Sequence, residues 1–217
     1  SNIKLVHSGG NSVSLTTPDS NPAANRTFKL PGADGTVNQA LVTDGSGALS
    51  FATPGITMVD QYFLSQQKTA SGNAAIALDT DFVRVSGTIP GAGHIGTGMT
   101  KNGEIFSFPS TGIYSIHFRA CVMINSSSSG QRYAQNPIFV TINNNTYNNV
   151  AMGLDGVEDI SGESFGNPIA DFIFDVTDTS THKCKFEIQS GESGWSTYNP
   201  STGRIHTHVI FTRIGDT

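Results

Sequence analysis

The chain has 217 residues, a formal net charge of −5 and only 13% charged residues, against about a quarter in ordinary globular proteins. No basic run offsets the negative balance, which removes the electrostatic case for nucleic acid or an acidic membrane surface as a partner. No apolar run approaches the roughly 20 residues that span a bilayer, and the N-terminus lacks the basic and apolar regions of a signal peptide. The chain is therefore expected to be soluble, not membrane-inserted and without an export signal.

From Ile3 to about Pro54 the apolar residues come in short touches separated by Gly, Asn, Asp and Pro. None of these pieces is long enough for a helix. Asp34-Gly35 and Asp44-Gly45 are turn signals, and Phe28, Leu30, Val37, Leu41, Leu49 and Phe51 around them suit small hairpins. A segment so poor in apolar mass cannot offset the entropy of ordering its own backbone. Its stability is expected to come from partner chains, and residues 1–56 are read as a shaft segment.

From about Thr57 the pattern changes to a period of two, the mark of half-buried strands. In Gly112 to Ile124, Tyr114, Ile116, Phe118, Ala120, Val122 and Ile124 fall on one face, with Ser115, His117, Arg119, Cys121 and Met123 on the other. Shorter strands are predicted over Asp60 to Gln66, Phe82 to Val85 and Glu104 to Phe108. Further core-facing sets are Ile138, Val140 and Ile142; Ala170, Phe172, Phe174 and Val176; Cys184, Phe186 and Ile188; and Val209 with Phe211. Nowhere do apolar residues recur at helical spacing. The fold class is all-β, a jelly-roll sandwich head over residues 57–217.

Some strands are apolar on both faces: Ile169 and Ile173 oppose Phe172, Ile210 and Ile214 oppose Phe211, and Met123 opposes Val122. A sheet with one solvated face should alternate cleanly, as Lys183, Lys185, Glu187 and Gln189 do against Cys184, Phe186 and Ile188. The two-sided strands call for cover by another subunit. Ser115, His117, Arg119, Met123, Ile169, Asp171, Ile173, His206, His208 and Ile210 are the candidate interface residues. The two cysteines, Cys121 and Cys184, stand in different strands at unrelated spacing and are expected to be buried thiols.

The run GEIFSFPSTGIYSIHF from Gly103 to Phe118, through the spacing of Pro109, Gly112 and Tyr114, resembles the central strands of the trimeric jelly rolls of the complement globular-head and tumour necrosis factor type. THVIFTRI, from Thr207 to Ile214, resembles that family's last strand. The resemblance implies a homotrimer in which the last strand lies beside the Tyr114 strand in the inner sheet. Upstream, TFKLPGADGTVNQALVTDGSGALSF, from Thr27 to Phe51, is similar to a stretch of bacteriophage tail fibres that precedes a terminal domain and forms part of an intertwined three-chain shaft. A Gly-X-Y collagen repeat is absent.

Together these resemblances imply a virion protein, made in the host cytoplasm, whose partners are its own copies, other virion tail proteins and a bacterial surface glycan or other receptor. The alternatives are a trimerisation cap that binds nothing, and a polysaccharide-degrading fibre domain. Gly162-Glu163-Ser164-Phe165-Gly166 fits the pattern of a hydrolase nucleophile elbow, but neither the preceding strand nor the following helix is indicated, and the other reading is a glycine-rich loop. Asp155, Glu158, Asp159 and Glu163 crowd one stretch without the spacing of a calcium loop. No catalytic residue, metal site or cofactor is assigned.

If consecutive strands run antiparallel, their connections alternate between the two ends of the sandwich. Asn125 to Asn136, Gly153 to Asn167 and Ser190 to Gly203 then gather at one tip, with Asp178 to Thr181 at the base. The tip connections carry Arg132, Tyr133, Trp195 and Tyr198, the candidate receptor-binding residues.

Overall fold

A computed structural model describes residues 3–15, 18–20, 22–52, 54–72, 74–85, 89, 91–124, 132–158, 160, 162–191, 194–198 and 204–217. It divides into two units, Ser1–Gly55 and Ile56–Thr217. None of the described residues is helical.

The first unit holds two separate hairpins. One joins β1 (Ile3–Val6) to β2 (Ser12–Leu15), with Ile3 opposite Leu15. The other joins β3 (Ala40–Thr43) to β4 (Leu49–Ala52), with Leu41 opposite Phe51. Its turn is held by the Asp44 carboxylate, which accepts the amides of Ser46 at 2.8 Å and Ala48 at 3.0 Å. Asp34-Gly35 does not make the hairpin expected of it: the segment before it pairs instead through Lys29, in parallel, with Ala48. No described side chain of this unit is buried; Leu30 is 73% and Val37 87% exposed.

The second unit contains β5 (Met58–Leu64), β6 (Ile76–Ala77), β7 (Phe82–Arg84), β8 (Thr100–Asn102), β9 (Ile105–Ser107), β10 (Gly112–Arg119), β11 (Val122–Ile124), β12 (Tyr133–Thr141), β13 (Asn148–Gly156), β14 (Ser164–Gly166), β15 (Ile169–Val176), β16 (Lys183–Ser190), β17 (Ser196–Thr197) and β18 (His208–Gly215). Two antiparallel sheets result, in the orders β15-β10-β18-β5-β7 and β13-β12-β16-β9-β8. The pairings nest: β5 with β18, β9 with β16, β10 with β15, β12 with β13. This is one long hairpin wound around a core, the defining path of a jelly roll. The last strand lies beside the Tyr114 strand, with Ile116 opposite Phe211.

Alternation along the strands delivers the core. Phe106 packs against the rings of Tyr62 at 4.9 Å, Phe211 at 5.3 Å and Phe186 at 5.4 Å, joining the two sheets through aromatic contacts. The inward face of β5 also carries Asp60, completely buried, whose charge is matched by Arg84 through both carboxylate oxygens and by the Met99 amide at 2.7 Å. Such a pair adds little net stability, because the cost of taking its charges out of water offsets their attraction. Ile142, expected in the core, lies beyond the end of β12 and is exposed.

The expected tip connections are shorter than the sequence implied. Asn136 lies within β12, fully buried; its side-chain amide donates to the carbonyls of Phe118 at 2.7 Å and Pro168 at 3.1 Å, and its oxygen accepts the Gly153 amide at 3.0 Å. It thereby ties together both sheets where they meet at one margin. Gly153 permits this approach, since a Cβ there would stand 2.2 Å from the Ile169 carbonyl oxygen. The connection between β11 and β12 shrinks to residues 125–132, of which 125–131 lie outside the described residues.

Candidate functional site

The outward face of the β15-β10-β18-β5 sheet is a regular array, three rows deep, set by strand register. Ile169, Arg119, His208 and Phe63 form one row. Asp171, His117, Ile210 and Gln61 form the next, and Ile173, Ser115, Thr212 and Val59 the third. Each is half-buried or exposed. In the middle row His117 Nδ1 and Asp171 Oδ1 are 2.7 Å apart, and the His117 and His208 rings are 5.9 Å between centroids. Burial pushes the His208 imidazole below its ordinary pKa, with His117 and Arg119 adding repulsion.

Ile169 and Ile173 sit on the edge strand β15, and they are not alone there. Val150, Met152 and Leu154 alternate along β13, the edge strand of the other sheet, and all three are exposed, Leu154 by 65%. Gly153 brings this strand against Ile169. One margin of the sandwich is thus an apolar strip distinct from the sheet face. The alternation of Val150, Met152 and Leu154 is the sequence signal of this strip.

The remaining interface candidates, Met123 and His206, are brought instead to the end of the sheet, beside a small sheet in the order β14-β11-β17. Met123 is opposite Phe165 and Ser196. The Phe165 ring meets Tyr198 edge-on at 4.9 Å, and Tyr198 meets His206 in the same manner at 5.3 Å. Tyr198 is placed by its amide, which donates to the Cys121 carbonyl at 2.9 Å. Arg119 reaches Asn167 Oδ1 at 3.2 Å. His206 is held below its ordinary pKa by burial and by the positive charges of Arg119 and Arg204. Its Nε2 is buried with no hydrogen-bond partner among the described residues.

Of the four receptor-binding candidates, only Tyr198 belongs to this cluster. Trp195 is completely buried and joins the hydrophobic core. The cause is a stitch to a remote stretch: the Ala70 amide donates to the Trp195 carbonyl at 2.9 Å, and Thr197 exchanges backbone and side-chain bonds with Lys68. Arg132 is half-buried and donates to the Ser164 hydroxyl at 2.7 Å. Tyr133 begins β12, half-buried, opposite Gly156.

No protein-family model and no curated protein matches the sequence. Solved structures do match. The backbone is similar to that of murine APRIL at pH 8.5, with 11% identity and a TM-score of 0.48, over 72% of this chain and 98% of that one. It is similar also to Eiger TNF from S. frugiperda, with 10% identity and a TM-score of 0.48, over 75% of this chain and 96% of that one.

Ser164, the centre of the apparent nucleophile elbow, lies in β14 with its side chain buried, paired opposite Ile124 and not at a strand-to-helix turn. The acids of the crowded stretch do not converge: Asp155 accepts the Asn167 amide at 2.6 Å, Glu158 and Glu163 are exposed, and Asp159 lies outside the described residues. Among the described residues no group of three or more His, Cys, Asp or Glu could hold a metal ion.

Proposed function

We propose that this chain is the outer part of a homotrimeric virion appendage, a bacteriophage tail fibre or its equivalent, that joins other virion tail proteins and attaches to a glycan or other receptor on the bacterial surface. It is a structural and binding protein and not an enzyme, made in the host cytoplasm and located on the virion. The observation that carries the assembly is the presence of two unlike surfaces on the head, a sheet face of mixed polar and apolar residues and an apolar strip along one margin. Docking of the face of one copy on the edge of the next is heterologous, and heterologous contacts whose rotation closes give rings of three or more. The coreless first unit fits the same assembly, because three copies supply one another with the cover a single copy lacks. Its resemblance to fibre shafts over Thr27 to Phe51 supports the placement on a virion.

A second reading, a trimerisation cap that binds no receptor, is favoured by the burial of Trp195, which withdraws the largest aromatic side chain from the surface. Labelled full-length protein incubated with a panel of bacteria from the source habitat separates the two. Saturable adhesion to a subset of strains supports attachment; a trimer that adheres to none of them supports the cap.

A further inference from the structure

We infer that His117 and His208 form a two-histidine site for a divalent transition-metal ion of the zinc kind, on the outward face of the β15-β10-β18-β5 sheet. Both ligands come from one copy, so the site does not rest on the assembly proposed above. Docking of the next copy on this face would enclose the ion and decide only what fills its open positions.

Hydrogen bonding fixes the form of each ring. His117 Nδ1 lies 2.7 Å from Asp171 Oδ1, and His208 Nδ1 lies 3.2 Å from the His206 carbonyl oxygen. A carboxylate and a carbonyl can only accept, so both Nδ1 atoms carry the proton and donate it, which leaves the lone pair of each neutral ring on Nε2. Metal-bound histidines are held in the same way, by a carboxylate or a backbone carbonyl behind the ring.

Strand register then brings the two Nε2 atoms toward one place. Asp171 stands opposite His117 on β15, to one side of β10, whereas His208 is on β18, to the other side. The two nitrogens leave an imidazole on opposite sides, so a ring whose Nδ1 is turned to β15 turns its Nε2 to β18. His208 is drawn back along its strand by His206, which turns its Nε2 forward toward Ile210, the residue paired with His117. The ring centroids are 5.9 Å apart. With metal–nitrogen bonds of about 2 Å, two imidazoles on one tetrahedral ion have ring centres roughly 5 Å apart, so a small side-chain rotation closes the site. His206 does not join the pair, because its ring is packed edge-on against Tyr198.

The surroundings suit a cation bound by nitrogen. Asp171, behind His117, supplies negative charge, and Arg119, opposite His208, is tied to Asn167 Oδ1 at 3.2 Å. Two imidazoles select zinc, nickel or copper over calcium and magnesium, which require a set of oxygens. The His117 side chain is 38% exposed and His208 is half-buried, so the pair is open to an ion in a single copy. Two protein ligands leave two positions of a tetrahedral ion for water or for a group of the docked copy.

The test is calorimetric titration of the full-length, untagged chain, first stripped with a chelator, with zinc chloride and with calcium chloride. One zinc per chain is expected and no calcium, and cobalt(II) in place of zinc should give the visible absorption of a tetrahedral site. His117→Gln and His208→Gln should each lower zinc affinity by about a hundredfold, with the circular dichroism spectrum and oligomer mass unchanged. Asp171→Ala, which removes only the support behind His117, should lower it by about tenfold, and His94→Gln, at an exposed position elsewhere, should leave it as it was. No zinc binding, equal binding of calcium, one ion per three chains, or undiminished affinity in both His117→Gln and His208→Gln would overturn the inference. A single-chain mass with one zinc bound would overturn the assembly and leave this site standing.

Discussion

Residues 3–52 and residues 56–217 are built from the same kind of element, short antiparallel strands, and differ in what those strands enclose. In the first unit Leu41 faces Phe51 across a hairpin and both remain exposed. In the second, Phe106 packs against Phe186 of its own sheet and against Phe211 and Tyr62 of the other, and each is buried. Pairing satisfies the backbone in both, but only a second layer removes side chains from water, and that burial is what offsets chain entropy. In the proposed assembly the first unit depends on other copies for cover, whereas the second has a core of its own.

Separating the units gives the largest effect. Residues 56–217 expressed alone should keep a β-rich circular dichroism spectrum and a cooperative melt, whereas residues 1–55 alone should show neither. A cooperative melt from the short fragment would show that the hairpins suffice by themselves.

Within the head, Trp195→Ala should cost about 3–5 kcal/mol of stability, as large-to-small changes at enclosed aromatic positions do. Chemical denaturation reads this directly; an unchanged midpoint would mean that Trp195 is solvent-facing after all.

Interface charge is a smaller test. Burial depresses the His208 and His206 imidazoles in the folded chain. The unfolded state then binds protons first, so their contribution is fully present above about pH 6.5 and declines as pH falls through the depressed folded values. The groups facing them are His117, Arg119 and Arg204, all able to oppose a new positive charge. Melting should thus fall between neutral and mildly acidic buffer, and His208→Gln should flatten that dependence. An identical slope in the variant would assign the pH response elsewhere.

The smallest expected effect concerns the thiols. Cys121 and Cys184 are free and buried, and burial raises both above the ordinary thiol pKa. Thiol reagent should count two per chain after denaturation and react slowly before it; fewer than two after denaturation would indicate a bond that the structure lacks.

Strand periodicity made most of the head legible. Tyr114, Ile116 and Phe118 alternate with Ser115, His117 and Arg119, and the fold buries the first set and leaves the second half-exposed. What alternation could not reveal was pairing between remote stretches. Ser196 is bonded to Gln67, a partner 129 positions away, and that stitch turns Trp195 inward. Asn136 was misplaced in a loop for the same reason: a buried asparagine is acceptable only once Phe118, Pro168 and Gly153 surround it. The candidate interface was half legible. The sheet face was read from two-sided strands, but the edge strip of Val150, Met152 and Leu154 became meaningful only when β13 was seen at a sandwich margin. The aromatic cluster around Tyr198 draws on β11, β14 and the segments flanking β17 and β18, and no local pattern announces it.

In the proposed assembly a face and an edge of unlike composition meet between copies. Sedimentation equilibrium of the full chain at micromolar concentration tests it most directly. A mass three times the 22.9 kDa of one chain, reduced to a folded single chain by Leu154→Lys on the edge or by Ile210→Lys on the face, is the predicted result. A single-chain mass for the unaltered protein would contradict it.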